Sequence, residues 1–334
     1  IQTGTPPTLA FVRPPDIAAY ADADALLPLD SLVEEENEED YFAQFFDSVR
    51  YPGAGDDMLA WPVHRHQTLL FINRTRVEAL GGNGSPGSLE ELVQLCARYR
   101  EQSGERCFAL FPGGPLPMLW IGGNGGELMD ENGKRSLFEE EVGQSVLRWL
   151  GELRAVDSVY VVPTYDAKVE AFASGKALFT FDSTQAIPTY EERINATFEM
   201  AAIPSPTTSG KPVTLTTGGN VAIFRGSPEL QTLAGNFLAF WTSTEINYRW
   251  ADAVGAFPVR RSALDKLKAQ WPASSHLRQA AEWLPACRSV PPLKQWTEIE
   301  QVLQQAMIDT INGQVTPPAA LAEVLRRAEG LLEP

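Results

Sequence analysis

Cysteine and histidine are scarce, three of each in 334 residues, and the scarcity excludes several classes of protein. Cys96, Cys107 and Cys287 form neither the dense framework of a disulfide scaffold nor the clustered pairs of a zinc module. At most one bridge can form. Cys96 falls on a predicted helix and Cys107 opens the following strand, so the two could be neighbours, but the reading preferred from sequence is two small buried hydrophobes. Of the histidines, His64 and His66 flank Arg65. On a strand both imidazoles face one way and the guanidinium the other. A third clustered ligand is missing, so neither a metal site nor a cofactor is expected. Basic residues are also short, 27 against 43 acidic ones for a net charge of −16, which argues against nucleic acid or an anionic membrane as a partner through bulk electrostatics. No apolar run is long enough to cross a bilayer and the sequence shows no basic, apolar leader, so a soluble chain is expected, without that placing it in the cytoplasm. The G-x-S-x-G elbow, the H-E-x-x-H helix and the P-loop are all missing, and the Gly122–Gly126 run GGNGG lacks the Lys and Ser/Thr of a phosphate cradle. Carboxylates abound without any acid and base pair standing out. Enzymatic activity is therefore not expected.

What is present is a chain that can bury a sizeable core, with 44% hydrophobic residues and a length that favours two domains. Pro7–Leu29 reads as a short buried strand broken by Pro14 and Pro15, then a helix from Ile17 that Asp16 can cap. Glu34–Asp40 is an acidic run read as a solvated face. Residues 58–72 form a long extended stretch, Asn73 leads into a helix, and Ser88–Glu101 is a well-capped amphipathic helix. Strands are predicted at Cys107–Phe111, Ala177–Asp182 and Phe198–Pro204, and helices around Phe138–Leu153 and Tyr165–Ser174. Gly218–Leu264 joins a Gly-rich strand entry, two helices and a Gly-Ala-Phe-Pro turn. In its first helix Leu230, Leu233, Ala234, Phe237, Leu238 and Trp241 recur at helical spacing, so that face must pack against something large. Two closing helices follow, from Trp296 to near Gly313 and from Pro317 to Leu332. Alternating strands and helices imply an α/β protein with mainly parallel sheets.

The order of these segments resembles family 1 extracellular solute-binding proteins, the capture subunits of ABC importers for sugars and related polyols. The likeness rests on Pro7–Leu29, Ala60–Asn73, Ser88–Arg100, Gly125–Leu128, Phe172–Asp182 (FASGKALFTFD), Gly218–Asn220, Gly255–Arg260 and the run from Trp296 through Gly313 to Pro317. It implies a two-lobed, type II periplasmic-binding-protein-like fold with the ligand cleft between lobes joined by extended hinge crossings. The first lobe is expected to comprise residues 1–65 and 222–258, and the second 66–221 and 259–334. In the family a strand, a helix and a second strand precede the position matching Pro7. They are absent from this sequence, and the expectation is that they belong to the protein outside it or in a disordered start, because losing a central strand would strand backbone groups without partners.

By the same resemblance the protein captures a carbohydrate or related polyol by hinge closure, for delivery to a membrane permease, as an extracytoplasmic monomer. A sugar presents flat apolar patches rimmed by hydroxyls, so its site needs aromatic faces and directional polar groups. Trp120, Trp250 and Trp296 lie in segments resembling cleft-facing parts of the family, with a core position the competing reading for each. Arg13 sits on the implied ligand-facing turn, Asp182 and Ser183 at the carboxyl end of a strand, and Gly218, Gly219 and Asn220 at a crossing where backbone can approach a ligand. Arg65 or His66 would reach the ligand from another crossing. Arg13, Arg65, Arg260 and Lys294 would suit a phosphorylated polyol such as glycerol 3-phosphate, the alternative ligand. A ligand-sensing module that presents its closed form to a signalling partner is the alternative role.

Overall fold

The computed structural model describes residues 6–332 apart from 32–37, 52–54, 114–115, 117–118, 120, 122–140, 208–211 and 291. Strand β1 (Leu9–Val12) leads through Arg13 into helix α1 (Pro14–Asp22). The two prolines open this helix, where a missing N–H costs nothing. Asp16 is consequently its third residue and not the cap expected from sequence, and its carboxylate accepts from the Arg13 backbone N–H at 3.0 Å. The hairpin β2 (Arg50–Tyr51) and β3 (Asp57–Met58) precedes β4 (Trp61–Pro62) and β5 (His66–Asn73), which is buried along its whole length. Asn73 and Ser88 cap α2 (Arg74–Ala79) and α3 (Leu89–Ser103), accepting from the N–H groups of Arg76 and Glu91, and Gly104 ends α3 in the left-handed region at φ 73°. Then come β6 (Phe108–Leu110), α4 (Glu141–Ala155), β7 (Val159–Val161), α5 (Tyr165–Ala173), β8 (Phe179–Ser183), α6 (Ile187–Ile194), β9 (Met200–Ile203), β10 (Thr214–Thr217) and β11 (Asn220–Ile223). The last third holds α7 (Pro228–Trp241), α8 (Thr244–Ala253), α9 (Arg261–Gln270), α10 (His276–Ala281), β12 (Cys287–Ser289), α11 (Trp296–Asn312) and α12 (Pro317–Leu332).

The described residues divide into two compact units, one drawn from residues 1–67 and 216–297, the other from 68–215 and 298–334. The first contains the antiparallel sheet β1-β11-β4, with Val12 opposite Asn220 and Asn220 opposite Pro62. The second is built on β5, which pairs antiparallel with β8 and β9, while β8, β6 and β7 continue in parallel. The mainly parallel sheets expected from element alternation are thus corrected. β5 and β11 each arrive from the other unit and run against their neighbours, which local βα order cannot announce.

Residues 259–297, expected with the second lobe, pack in the first unit. Arg260 is tied there to Asp40 and the Thr242 carbonyl, and Gln44 donates to the Leu284 carbonyl at 2.8 Å. Gly255–Arg260, read as a crossing, accordingly lies inside that unit, and the third passage of the chain falls at Thr297 in α11.

Cys96 and Cys107 form a disulfide, with Cα atoms 5.3 Å apart, where sequence favoured two free buried thiols. The left-handed turn at Gly104 folds the chain back so that Cys107 meets the buried face of α3. Cys287 is the free, buried cysteine, and burial pushes its thiol up to about 12.

Candidate functional site

The chain passes between units immediately after Gln67 and immediately before Thr216, and most of the polar groups singled out by sequence cluster on either side of these two points. In the first unit, His64 and His66 lie with ring centroids 5.5 Å apart. The Trp250 indole N–H donates to His64 Nδ1 at 3.1 Å, and Trp250 itself packs edge-on against Trp241 at 5.0 Å. Burial, reinforced by the neighbouring charge of Arg65, holds both imidazoles down at about 4, so they are neutral at pH 7. His66 Nδ1 is buried without a hydrogen-bond partner among the described residues. Trp250 and His64 remain half-buried, a flat aromatic face and a polar ring side by side.

Two glycines make this packing possible. A Cβ on Gly218 would collide with the His64 carbonyl oxygen, and one on Gly219 would stand 2.6 Å from the His64 ring and 2.8 Å from Phe11. Their use is close approach of backbone to His64, so the glycine pair is explained by packing.

Arg65 differs from expectation. It is 2% exposed, and its guanidinium donates to the carbonyls of Phe45 (2.7 Å), His64 (3.1 Å) and Gly219 (3.1 Å), to Asn220 Oδ1 (2.8 Å) and to Ser48 Oγ (3.4 Å). Burial lowers it to about 10, which still leaves it charged at neutral pH. A buried cation satisfied by five oxygens is a fastening group for the segments around it and presents no surface to a ligand. Asn220, 2% exposed, is spent as one of those oxygens.

In the second unit Ser183 stands opposite Thr68, the first residue of β5 beyond the crossing, and Asp182 opposite Leu69. Asp182 lies at the carboxyl end of β8, as expected, but its carboxylate is occupied. It pairs with Lys168 at 2.8 Å and accepts from the hydroxyls of Tyr190 at 2.8 Å and Tyr165 at 3.1 Å. Lys168 also donates to the Phe181 carbonyl, and burial depresses its ammonium below the usual lysine range despite the carboxylate beside it. Burial first, and the carboxylate second, push both phenols upward. The outcome is a braced Tyr165 ring, 44% exposed, with Phe111 at 6.2 Å and the Lys168 ammonium 4.5 Å from its centroid.

The remaining residues separate cleanly. Arg13 is exposed and paired with Asp16 at 3.0 Å. Arg260 is buried, paired with Asp40 at 3.3 Å and stacked on Tyr41 at 4.3 Å. Lys294 pairs with Asp22 at 3.4 Å. Of the four cations expected for a phosphate, Arg65 and Arg260 are buried and committed, and Arg13 and Lys294 are in exposed surface pairs. Trp296 is 2% exposed at the start of α11, which puts it in the core and not on a stacking face. Trp120 lies outside the described residues. Sequence reasoning missed Tyr165 and Lys168. The signal was there: residues 165, 168, 169 and 172 share one helical face, so a lysine sits among Val169 and Phe172 where a solvated charge does not belong.

The profile of the bacterial extracellular solute-binding proteins matches residues 1–279. The chain belongs to that family. Binding, not catalysis, is therefore the function of this solute-binding protein, and its α/β architecture recurs in solved structures. The sugar-binding protein MalE from the phytopathogen Xanthomonas citri superposes with a TM-score of 0.87 at 17% identity, over 99% of this chain and 85% of that one. The cyclic α-maltosyl-1,6-maltose binding protein from Arthrobacter globiformis gives 0.83 at 15%, over 99% and 86%. The GacH receptor of Streptomyces glaucescens gives 0.81 at 20%, over 99% and 85%. No curated protein sequence matches the chain. Among the described residues, no helix of the solute-binding protein is long and apolar enough to cross a membrane, and no group of three or more His, Cys, Asp or Glu could hold a metal ion.

Proposed function

We propose that this solute-binding protein captures an uncharged carbohydrate between its two units by hinge closure and delivers it, outside the cytoplasm, to the permease of an ABC importer. The observation that carries the reading is the presence, in each unit, of a part-exposed aromatic ring fixed by a hydrogen bond to a polar partner close to the Gln67–Thr68 crossing: Trp250 on His64 in the first unit, and Tyr165 on Asp182 in the second. Such rings suit the apolar faces of a sugar, and His64 and Ser183 beside them suit its hydroxyls. Structural neighbours support the same class, since they include proteins solved with acarbose, maltose and cycloalternan. Glycerol 3-phosphate and other phosphorylated polyols are disfavoured because Arg65 and Arg260, two of the four cations that would suit them, are buried and committed to other partners.

Calorimetry against a panel of mono- and oligosaccharides, polyols and glycerol phosphates tests the proposal. At least one neutral sugar is expected to bind tighter than millimolar and to make the protein more compact in small-angle scattering. Trp250→Ala and Tyr165→Ala should each weaken that sugar by about 1–3 kcal/mol. Tight binding of a phosphate ester alone, or full affinity in both variants, would sink it.

A further inference from the structure

Strand β7 ends the larger sheet, and among the described residues it pairs with β6 alone. The Phe108 N–H donates to the Ser158 carbonyl and the Val162 N–H to the Leu110 carbonyl, so in the parallel ladder both backbone groups of Tyr160 turn towards β6. Those of Val159 and Val161 turn the other way, and among the described residues nothing bonds to them. They make a row of N–H and C=O groups repeating at about 7 Å along the edge, with no charge or proline in Val-Tyr-Val to blunt it.

A groove of about 510 Å³ is lined by all three residues of β7, by Ile311 and Asn312 from the last turn of α11, and by Arg106 and Arg154. Consecutive strand residues point to opposite faces, so a groove that touches all three runs along the edge. Arg154 lies over Gly313, whose left-handed φ of 71° and missing side chain leave the room its guanidinium takes. Among the described residues it makes no ion pair or hydrogen bond. Asp157, the carboxylate on the groove, is already shared by Arg100 at 2.5 Å and Arg106 at 2.8 Å. In a chain of net charge −16, the groove thus keeps an uncommitted cation beside an open strand edge.

We propose that this groove binds an extended acidic peptide of a partner protein, added as a strand to the edge of β7 with a Glu or Asp side chain on Arg154. The edge selects a strand, because N–H and C=O groups at the repeat of an extended chain are matched by another backbone and not by a free anion. Val161 and Ile311 supply apolar contact for its side chains, and Arg154 selects the acid, since a guanidinium takes a carboxylate through two N–H donors. A second copy of this chain is a poor occupant. Two-fold pairing of β7 with itself would set the same arginine-bearing groove against its own image, like charge facing like. Arg106 and Asp157 precede β6 and β7, at the opposite end of the parallel strands from Asp182, so the peptide and the proposed sugar do not compete.

The test uses hexapeptides of alternating Thr and Val, acetylated and amidated at their ends, with one Glu placed at each position in turn, and the same set carrying Gln. Binding is read by fluorescence polarisation and by amide hydrogen exchange. At least one Glu peptide should bind in the submillimolar range, slow the Val159 and Val161 amides about tenfold and leave the Tyr160 amide, already bonded to β6, unchanged. Its Gln counterpart and the Arg154→Gln protein should each weaken binding about tenfold, and the two changes together should weaken it no further than one alone. Arg154 is exposed and unpaired among the described residues, so this variant should keep the unfolding midpoint of the unaltered protein. The proposal is overturned if no peptide slows the Val159 amide, if Glu and Gln peptides bind equally, or if acetate or inorganic phosphate protects that amide as well as a peptide does. A protein that sediments alone as a dimer with Val159 already protected would overturn it too.

Discussion

Asp182 bears three donors at once, an ammonium and two phenols, in a place with almost no water. Removing it strands the Lys168 charge and two hydroxyls. Asp182→Ala should therefore lower the unfolding free energy by about 3–5 kcal/mol in urea titrations. A loss under about 1 kcal/mol would mean the carboxylate is there for ligand and not for bracing Tyr165. The two imidazoles give a second residue-level prediction with a definite sign. Both are held at about 4 in the native protein, below their ordinary value of 6.5, so between those limits the unfolded chain binds protons that the folded one refuses. Stability is complete above pH 6.5 and falls as pH drops towards 4, at up to about 1.4 kcal/mol per pH unit for each imidazole. Unfolding measured from pH 7.5 to 5 should show this slope, and His64→Gln with His66→Gln should flatten it. An unchanged slope in the variant would place its cause elsewhere.

At the level of elements, the disulfide closing the turn from α3 into β6 constrains a loop of 11 residues. Cys96→Ala with Cys107→Ala should cost about 3 kcal/mol, most of it from the freer unfolded chain, and reducing agent should reproduce the loss in the unaltered protein. Equal stability with and without the bridge would contradict that. What sequence reveals of these elements follows from range. Ser88 and Asn73 are legible as helix caps because cap and recipient are three residues apart. Asp182 is legible as a strand-end carboxylate for the same reason. Arg65 is not, because its acceptors come from residues 45, 48, 64, 219 and 220, and nothing local distinguishes a clamped guanidinium from one offered to a ligand. The periodicity of α7 reports how wide its apolar arc is, but not how much of that arc is covered, and half of it is bare. Strand direction in the sheets depends on where the chain returns from the other unit, a property of the path and not of any segment.

For the whole molecule, the two-unit division and the family both follow from the order of elements, while the allocation of residues 259–297 required the packing of Arg260 against Asp40. Arg65 acquires its larger meaning here. Its guanidinium holds the strand leaving the first unit, through His64, to the strand that has just re-entered it, through Gly219 and Asn220. Two peptide stretches that would otherwise be exposed linkers, soft targets for a protease, are locked by one side chain. Limited digestion should therefore spare residues 62–66 and 218–222 in the intact protein and open both together in Arg65→Met, read as paired new cleavages by mass spectrometry. Cleavage at one stretch without the other would show that the two are not fastened by the same bolt.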